Sequence, residues 1–503
     1  MPDIDASFLA LPRQELAAAA LQRAQDLGAT FAEFRLERIR SESISLRDSV
    51  LESATDDEDL GLAVRVIHDG TWGFAAGVAL TTDEAVSLAE QAVHMAQVSR
   101  PINAETIELA EEPVYDGVTW VSSYEIDPFS VPRAEKVTLL TDYSDRLLKA
   151  EGVAHVSVHV DAIHECKYYA NSAGTSYAQQ RVRIGPEITA HAVAADRFDS
   201  MSSTAPPAGR GWEYLTGTGW NWDDELARIP GWLAEKMAAP SVEPGTYDLV
   251  IDPSNLWLTI HESIGHATEL DRALGYEANY AGTSFATLDQ LGTLKYGSPI
   301  MHVTGDRTAE HGLSTVGYDD EGVAGQQWDL VKDGILVGYQ VDRRMAKKNE
   351  DVLGTSRSNG CAYADSAGHI PIQRMANVSL QPAPDGPSTE ELISRVQNGI
   401  YIVGDKSWSI DMQRYNFQFT GQRFCKITDG KLDGQLRDVA YQATTTDFWG
   451  SMDAVGGPQT YVLGGALNCG KAEPGQVGAV SHGCPSALFR GVRILNTTQE
   501  AGR

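Results

Sequence analysis

Apolar positions in the first part of the chain switch between the period of a helix and that of a strand. Leu16, Ala20, Ala24 and Leu27 form a stripe at helical spacing, which predicts a helix over 13–27. Phe34 and Leu36, then Ile44 and Leu46, alternate with charged or polar neighbours and predict β structure. Leu62, Val64 and Val66 share one face, and Asp69-Gly70 after them supplies a turn, so this stretch reads as a hairpin. Thr82 is placed to cap a helix with the apolar face Val86, Ala89, Val93 and Ala96. A further helix is expected over 133–149, through Leu140, Tyr143 and Leu147. Two β runs, around 153–169 and 176–195, flank the loop Asn171-Ser172-Ala173-Gly174.

Residues 204–245 break this pattern with Pro, Gly and Trp, and only 223–238 reads as helical there, with Pro230 limiting it. The domain boundary is therefore expected here, giving an N-terminal α+β domain over 1–220 and a β-rich C-terminal domain over 221–503. The second domain opens with a strand pattern over 246–253, then a helix start at Ser254. From about residue 300 the chain is mostly short β segments, with hairpin turns at Lys332-Asp333-Gly334 and Thr428-Asp429-Gly430.

Length agrees with this division, since 503 residues exceed what one ordinary core serves. No apolar run is long enough for a transmembrane helix, and the N-terminus lacks a basic region before an apolar stretch. The expectation is a cytoplasmic protein with no membrane partner. The formal net charge of −29 works against phosphate neutralisation, so nucleic acid is not an expected partner. Five cysteines without small-domain spacing are expected to be reduced thiols or metal ligands.

The segment that carries chemistry is His261-Glu262-x-x-x-His266. Two neutral imidazoles can bind a zinc ion, which acidifies water, while Glu262 takes the proton as that water attacks a carbonyl. The spacing is one residue longer than H-E-x-x-H. On a regular helix the two histidines would diverge by about 140°. Both reach one ion only if the helix carries a π-bulge or unwinds, and Gly265 is the place for that. A third ligand must come from elsewhere. Glu269 and Asp271 are nearest in sequence, and Cys469 is a thiolate candidate in a Gly-rich stretch; local chemistry does not choose among them.

His261 to Asp271, followed by Gly282-Thr283-Ser284-Phe285, resembles the signature of the TldD/PmbA family of metallopeptidases, and specifically its TldD-type catalytic subunit. Asp319-Asp320-Glu321-Gly322 and the stretches 370–377, 399–405 and 467–471 agree with it. The resemblance implies N-terminal helices on an antiparallel sheet and a β-rich, barrel-like C-terminal domain that carries a metal-binding helix. It implies zinc held by His261, His266 and Cys469, with Glu262 catalytic, since Cys469-Gly470 matches the family's third ligand. It also implies hydrolysis of peptides or unfolded segments inside a dimer, the second chain being a paralogue without H-E-x-x-x-H.

Other features read as bland. Gly465 to Lys471 fits G-x-x-x-x-G-K, but Ala472 offers no hydroxyl for Mg²⁺, which excludes a P-loop. His155 and His159 sit four residues apart on a strand, about 13 Å, too far for one ion. Cys166, Cys361, Cys425 and Cys484 read as structural thiols, Asp56 to Asp59 as a solvated loop, and His482 as an unassigned polar candidate for the cleft. The reading is a zinc-dependent peptidase. Its alternatives are a non-catalytic scaffold subunit and a binding protein with a structural zinc site.

Overall fold

A computed structural model describes residues 3–195 and 197–500. The fold is α+β, with 26% helix and 39% strand. In the N-terminal half, seven strands form one sheet in the order Thr71–Gly77, Val50–His68, Phe31–Arg47, His155–Asn171, Ser176–Val193, Val118–Val121, with Phe198–Ser202 also paired to Ser176–Val193. All neighbours are antiparallel except Val118–Val121, which runs parallel to Ser176–Val193.

Alternation along these strands sorts the side chains onto two faces. One face is apolar and carries four helices. Arg13–Asp26 and Thr82–Ser99 pack on Phe34, Leu36 and Val64 at one end, and Arg133–Leu148 and Trp222–Ala238 pack on Ile44, Val158 and Ile188 at the other. The opposite face is charged and yet buried, because the C-terminal half covers it. Arg35 Nη2 donates to the Ser366 carbonyl at 2.9 Å, Arg65 Nη2 to Glu321 at 2.9 Å, and Lys167 Nζ to Asp320 at 2.7 Å. Asp320 and Glu321 of the 319–322 motif thus dock the two halves.

Local expectations are corrected at several points. Thr81, not Thr82, caps the second helix, accepting from the Glu84 amide; Ala89, Val93 and Ala96 of the expected face are buried, joined by Ala85, Leu88 and Ala92, while Val86 is only partly so. Pro230 does not limit its helix, because burying Trp222, Leu226, Ile229 and Leu233 outweighs one missing hydrogen bond. Asp56 to Asp59 belong to the strand Val50–His68, where they are exposed; Asp56 pairs with Arg40 at 2.8 Å. The Asp-Gly turns hold, with φ of 47° and 66° at Asp69-Gly70, 50° and 74° at Asp333-Gly334, and 48° and 75° at Asp429-Gly430.

The C-terminal half is built on a closed five-stranded barrel. Gly245–Ile251, Ala487–Asn496, Val439–Thr444, Asn416–Thr428 and Asn398–Ile410 follow one another around it, and the last pairs in parallel with the first. A helix, Pro253–Ile260, leaves the first barrel strand directly, starting one residue before Ser254 and capped by Asp252. Asn255 anchors this helix to the barrel by donating to the Gly404 and Thr420 carbonyls, both at 2.9 Å. A hairpin, Val462–Ala472 with Gly475–Cys484, lies beside the helix. No helix among the described residues is long and apolar enough to cross a membrane.

Candidate metal centre

The helix does not stay α-helical through the motif. After Ile260 it widens to a π turn over His261–Gly265 and tightens to a 3₁₀ turn over His266–Thr268. The His266 amide donates to the His261 carbonyl, an i→i+5 bond that stacks the two histidines one turn apart. Their ring centroids are 4.6 Å apart. The distortion is supported from outside. Gln340 Nε2 donates to the Gly265 carbonyl at 2.7 Å, and Trp449 Nε1 to Ser263 Oγ at 2.9 Å. Gly265 is required by close packing, since a Cβ there would lie 2.6 Å from Met375 Sδ.

Cys469 reaches the histidines through a bulge. The hairpin register shifts between Ala466 and Cys469, and the Cys469 Sγ lies 3.7 Å from His266 Nε2. Ligand atoms of His261, His266 and Cys469 all lie within 4.8 Å of one another. Two donors on a tetrahedral zinc would be about 3.6 Å apart, so the spacing suits that ion. No fourth His, Cys, Asp or Glu joins the group among the described residues.

Hydrogen bonds fix which atoms face inward. His482 Nδ1 lies 2.9 Å from the Val378 carbonyl and must donate to it, so its Nε2 is an acceptor. That Nε2 is 2.7 Å from His261 Nδ1, which therefore carries the proton and leaves His261 Nε2 with a free lone pair. His266 Nδ1 donates to Glu269 Oε2 at 2.8 Å, which likewise leaves its Nε2 free on the side of Cys469. Glu269 thus sits behind His266, held also by Lys471 at 3.3 Å, and Asp271 faces Lys471 at 2.7 Å. His482, expected as a polar candidate for the cleft, does not line it; it is wholly buried behind His261.

Protonation states follow from burial and charge. Burial lowers the pKa of His261 and of His266, which keeps both neutral near pH 7. Burial works to raise the Cys469 pKa, while the Arg374 guanidinium, and His266 whenever it is protonated, pull the thiol below its ordinary value. Neutral imidazoles and a thiolate are the states that a metal requires.

The three donors and Glu262 open onto a cleft of about 1020 Å³ between the two halves. Its far wall comes from the N-terminal sheet, with Glu187, Thr189 and His191. Arg414, invisible to motif reasoning, lines it too and donates from Nη1 to Glu262 Oε2 at 2.5 Å. It stands in the tight turn of Asp411 to Asn416 with φ 63°, and no sequence pattern singles it out. Gly465 to Lys471 is strand rather than phosphate loop, and Lys471 is buried against acids. Cys166, Cys361, Cys425 and Cys484 are buried free thiols, while His155 and His159 pair with Asp48 and Asp161 on the surface.

The fold is a two-part α+β one that carries a His/His/Cys group able to hold a metal ion. The chain belongs to the TldD/PmbA family: the PmbA/TldA metallopeptidase C-terminal domain matches residues 244–496, and domain 1 of the same family matches 32–96. It is 28% identical over 469 residues to a protein named metalloprotease from Methanothermobacter thermautotrophicus, covering 93% of this chain and 96% of that one. A Saccharolobus solfataricus protein named zinc metalloprotease TldD homolog is 23% identical over 438 residues, or 84% of this chain and 88% of that one. Among solved structures, TldE from Thermococcus kodakarensis superposes with a TM-score of 0.68 at 16% identity, covering 94% of this chain and 98% of that one. A Thermotoga maritima chain described as a candidate modulator of a DNA gyrase gives 0.76 at 17%, covering 96% and 100%.

Proposed function

We propose that this chain is a zinc-dependent peptidase acting on peptides or unfolded polypeptide segments, with His261, His266 and Cys469 holding the ion and Glu262 as the base. The observation that carries the reading is the π turn, which sets two imidazoles beside the Cys469 sulfur at the floor of a cleft. Zinc held there supplies a Lewis acid that acidifies water and polarises a carbonyl. Glu262, adjacent to His261 but outside the donor group, takes the proton from the attacking water and passes it to the leaving amine. Arg414 orients the Glu262 carboxylate and sets a positive charge beside the position where the carbonyl oxygen gains charge.

The strand Val462–Ala472 pairs only with Gly475–Cys484 among the described strands, so one edge stays open along the cleft. An extended backbone can add to that edge, and a folded substrate cannot, which is the basis for the substrate class. A structural zinc site would be closed by four protein ligands, whereas three donors converge here. Presence of all four motif residues likewise speaks against a scaffold subunit. The working form in this reading is a dimer, with a paralogous chain closing the cleft; the likeness to TldE supports it at the level of fold.

The test is metal analysis of the purified protein with peptide hydrolysis measured before and after chelation. About one zinc per chain, with hydrolysis lost on chelation and restored by zinc, is the expected result. A metal-free protein that cuts peptides at the same rate would overturn the reading. Light scattering, with and without a paralogue, tests the dimer.

A further inference from the structure

Behind the hairpin, away from the cleft, lies a second and much smaller cavity. Arg181, Arg307 and Arg374 line it, together with Tyr363, Met375 and Val480. Arg307 is 2% exposed and Arg374 1%. Arg181 is neutralised by two bonds to Glu165, at 2.9 and 2.8 Å. The other two are not so answered. Nε and Nη2 of Arg307, and Nε and Nη1 of Arg374, find no protein acceptor among the described residues. Arg374 makes one bond, from Nη2 to the Cys469 carbonyl at 2.7 Å.

The nearby acids are committed elsewhere. Asp319 and Asp320 act on Arg307 through space, but Asp320 is held by Lys167 at 2.7 and 2.9 Å. Asp319 accepts from the Glu321, Val323 and Ala362 amides. Cys469 and Glu269 act on Arg374, but the Cys469 sulfur is turned to His266, and Glu269 is bound to His266 and Lys471. The Ser314 hydroxyl on the cavity wall donates to Asn377 Oδ1. A guanidinium does not shed its proton in a protein, so a buried one is stable only with an anion beside it. Water can fill its donors but not its charge.

We infer that the cavity between Arg181, Arg307 and Arg374 binds one monoatomic anion of the size of chloride. The space, about 10 Å³, admits the centre of a single water-sized particle, which excludes phosphate, sulfate and carboxylates. Its partly apolar wall favours a weakly hydrated halide over fluoride. The anion accepts from the Arg307 and Arg374 donors that the protein leaves open, and it holds Arg374 beneath the Cys469 carbonyl. The inference stands on the guanidinium cluster and does not depend on the peptidase reading.

Two measurements on the full chain test it. In crystals soaked in bromide, an anomalous peak is expected in the cavity, within contact of Arg307 and Arg374. In thermal unfolding at constant ionic strength, replacing gluconate by chloride should raise Tm saturably by about 2–4 °C, while fluoride leaves it unchanged. Arg307→Met should abolish the chloride response and the peak. If that variant does not fold, the bromide peak in the unmodified protein still decides. No peak in the cavity at saturating bromide, or water alone there, overturns the site, as does a Tm indifferent to chloride.

Discussion

His482 Nε2 and His261 Nδ1 lie 2.7 Å apart, although 221 residues separate them along the chain. The contact sets the tautomer of His261 because His482 is itself fixed by the Val378 carbonyl. The relay runs carbonyl, His482, His261, and leaves a lone pair on His261 Nε2, one of the atoms of the His261, His266 and Cys469 group. His266 has a parallel support in Glu269 and Lys471. Both imidazoles are therefore oriented before any ion arrives.

Replacing His482 by Phe should keep the ring volume and remove the acceptor. Metal affinity is expected to fall by about 10–100-fold while the fold persists. Competition with a chromophoric chelator measures this. Unchanged affinity would show that His482 is packing only.

Glu262→Gln should retain the metal and lose peptide hydrolysis by about 10²–10⁴-fold in kcat, as the proposed role of base rather than donor to the ion requires. Metal content and single-turnover assays are read together. Activity near the parent would remove Glu262 from the chemistry.

Cys469→Ser should lower zinc content and activity. Cys484→Ala, at a fully buried thiol facing the Pro253 carbonyl, should cost about 1 kcal/mol of stability and leave metal binding intact. If Glu269→Gln strips the zinc while Cys469→Ser does not, the third ligand is the carboxylate.

Gly265→Ala should destabilise the protein by about 1–3 kcal/mol, because its Cβ would press on Met375 Sδ within the π turn. The same variant should bind metal more weakly, since any shift of the turn separates His261 from His266. A variant equal to the parent in both melting and metal affinity would show that the turn yields freely.

The buried charged face gives a pH dependence. Burial pushes the Glu37 carboxyl up to about 7, against the pull of Lys167 and Arg35. Its folded value lies above its unfolded one, so the folded state binds more protons between about pH 4 and pH 7. The stability it contributes is complete below pH 4 and is lost as pH rises through 7. Glu37→Gln should flatten the fall in stability over this range by up to about 1.4 kcal/mol per pH unit, the value for one proton. Denaturant unfolding at pH 5, 6, 7 and 8 measures the slope; an equal slope in both proteins would place the protons elsewhere.

Much of the scaffold was legible from local pattern. The stripe of Leu16, Ala20 and Ala24, the alternation from Phe34 to Leu46, and the Asp-Gly turns all report interactions between residues close in sequence. The distortion at His261 was legible too, because five-residue spacing and one shared ion are incompatible with an α-helix. The cap expected at Thr82 and the helix start expected at Ser254 each lie one position earlier, since a helix end is set by backbone geometry as well as by residue type. Arg414 and His482 carried no such signal: neither belongs to a periodic pattern, and each acts only through a partner far along the chain.

The amino-acid sequence alone determined the period of each element, the residue types able to hold a metal, and the need for a break between His261 and His266. Tertiary structure decided what those types face. Arg35, Arg65 and Lys167 alternate with apolar neighbours as a solvated face would, and they are buried because a second half of the molecule brings Ser366, Glu321 and Asp320 against them. Cys469 meets His266 because a bulge in one hairpin and a π turn in one helix are packed together by a closed barrel. Periodicity is a property of neighbours along the chain, whereas charge compensation and metal geometry are properties of neighbours in space.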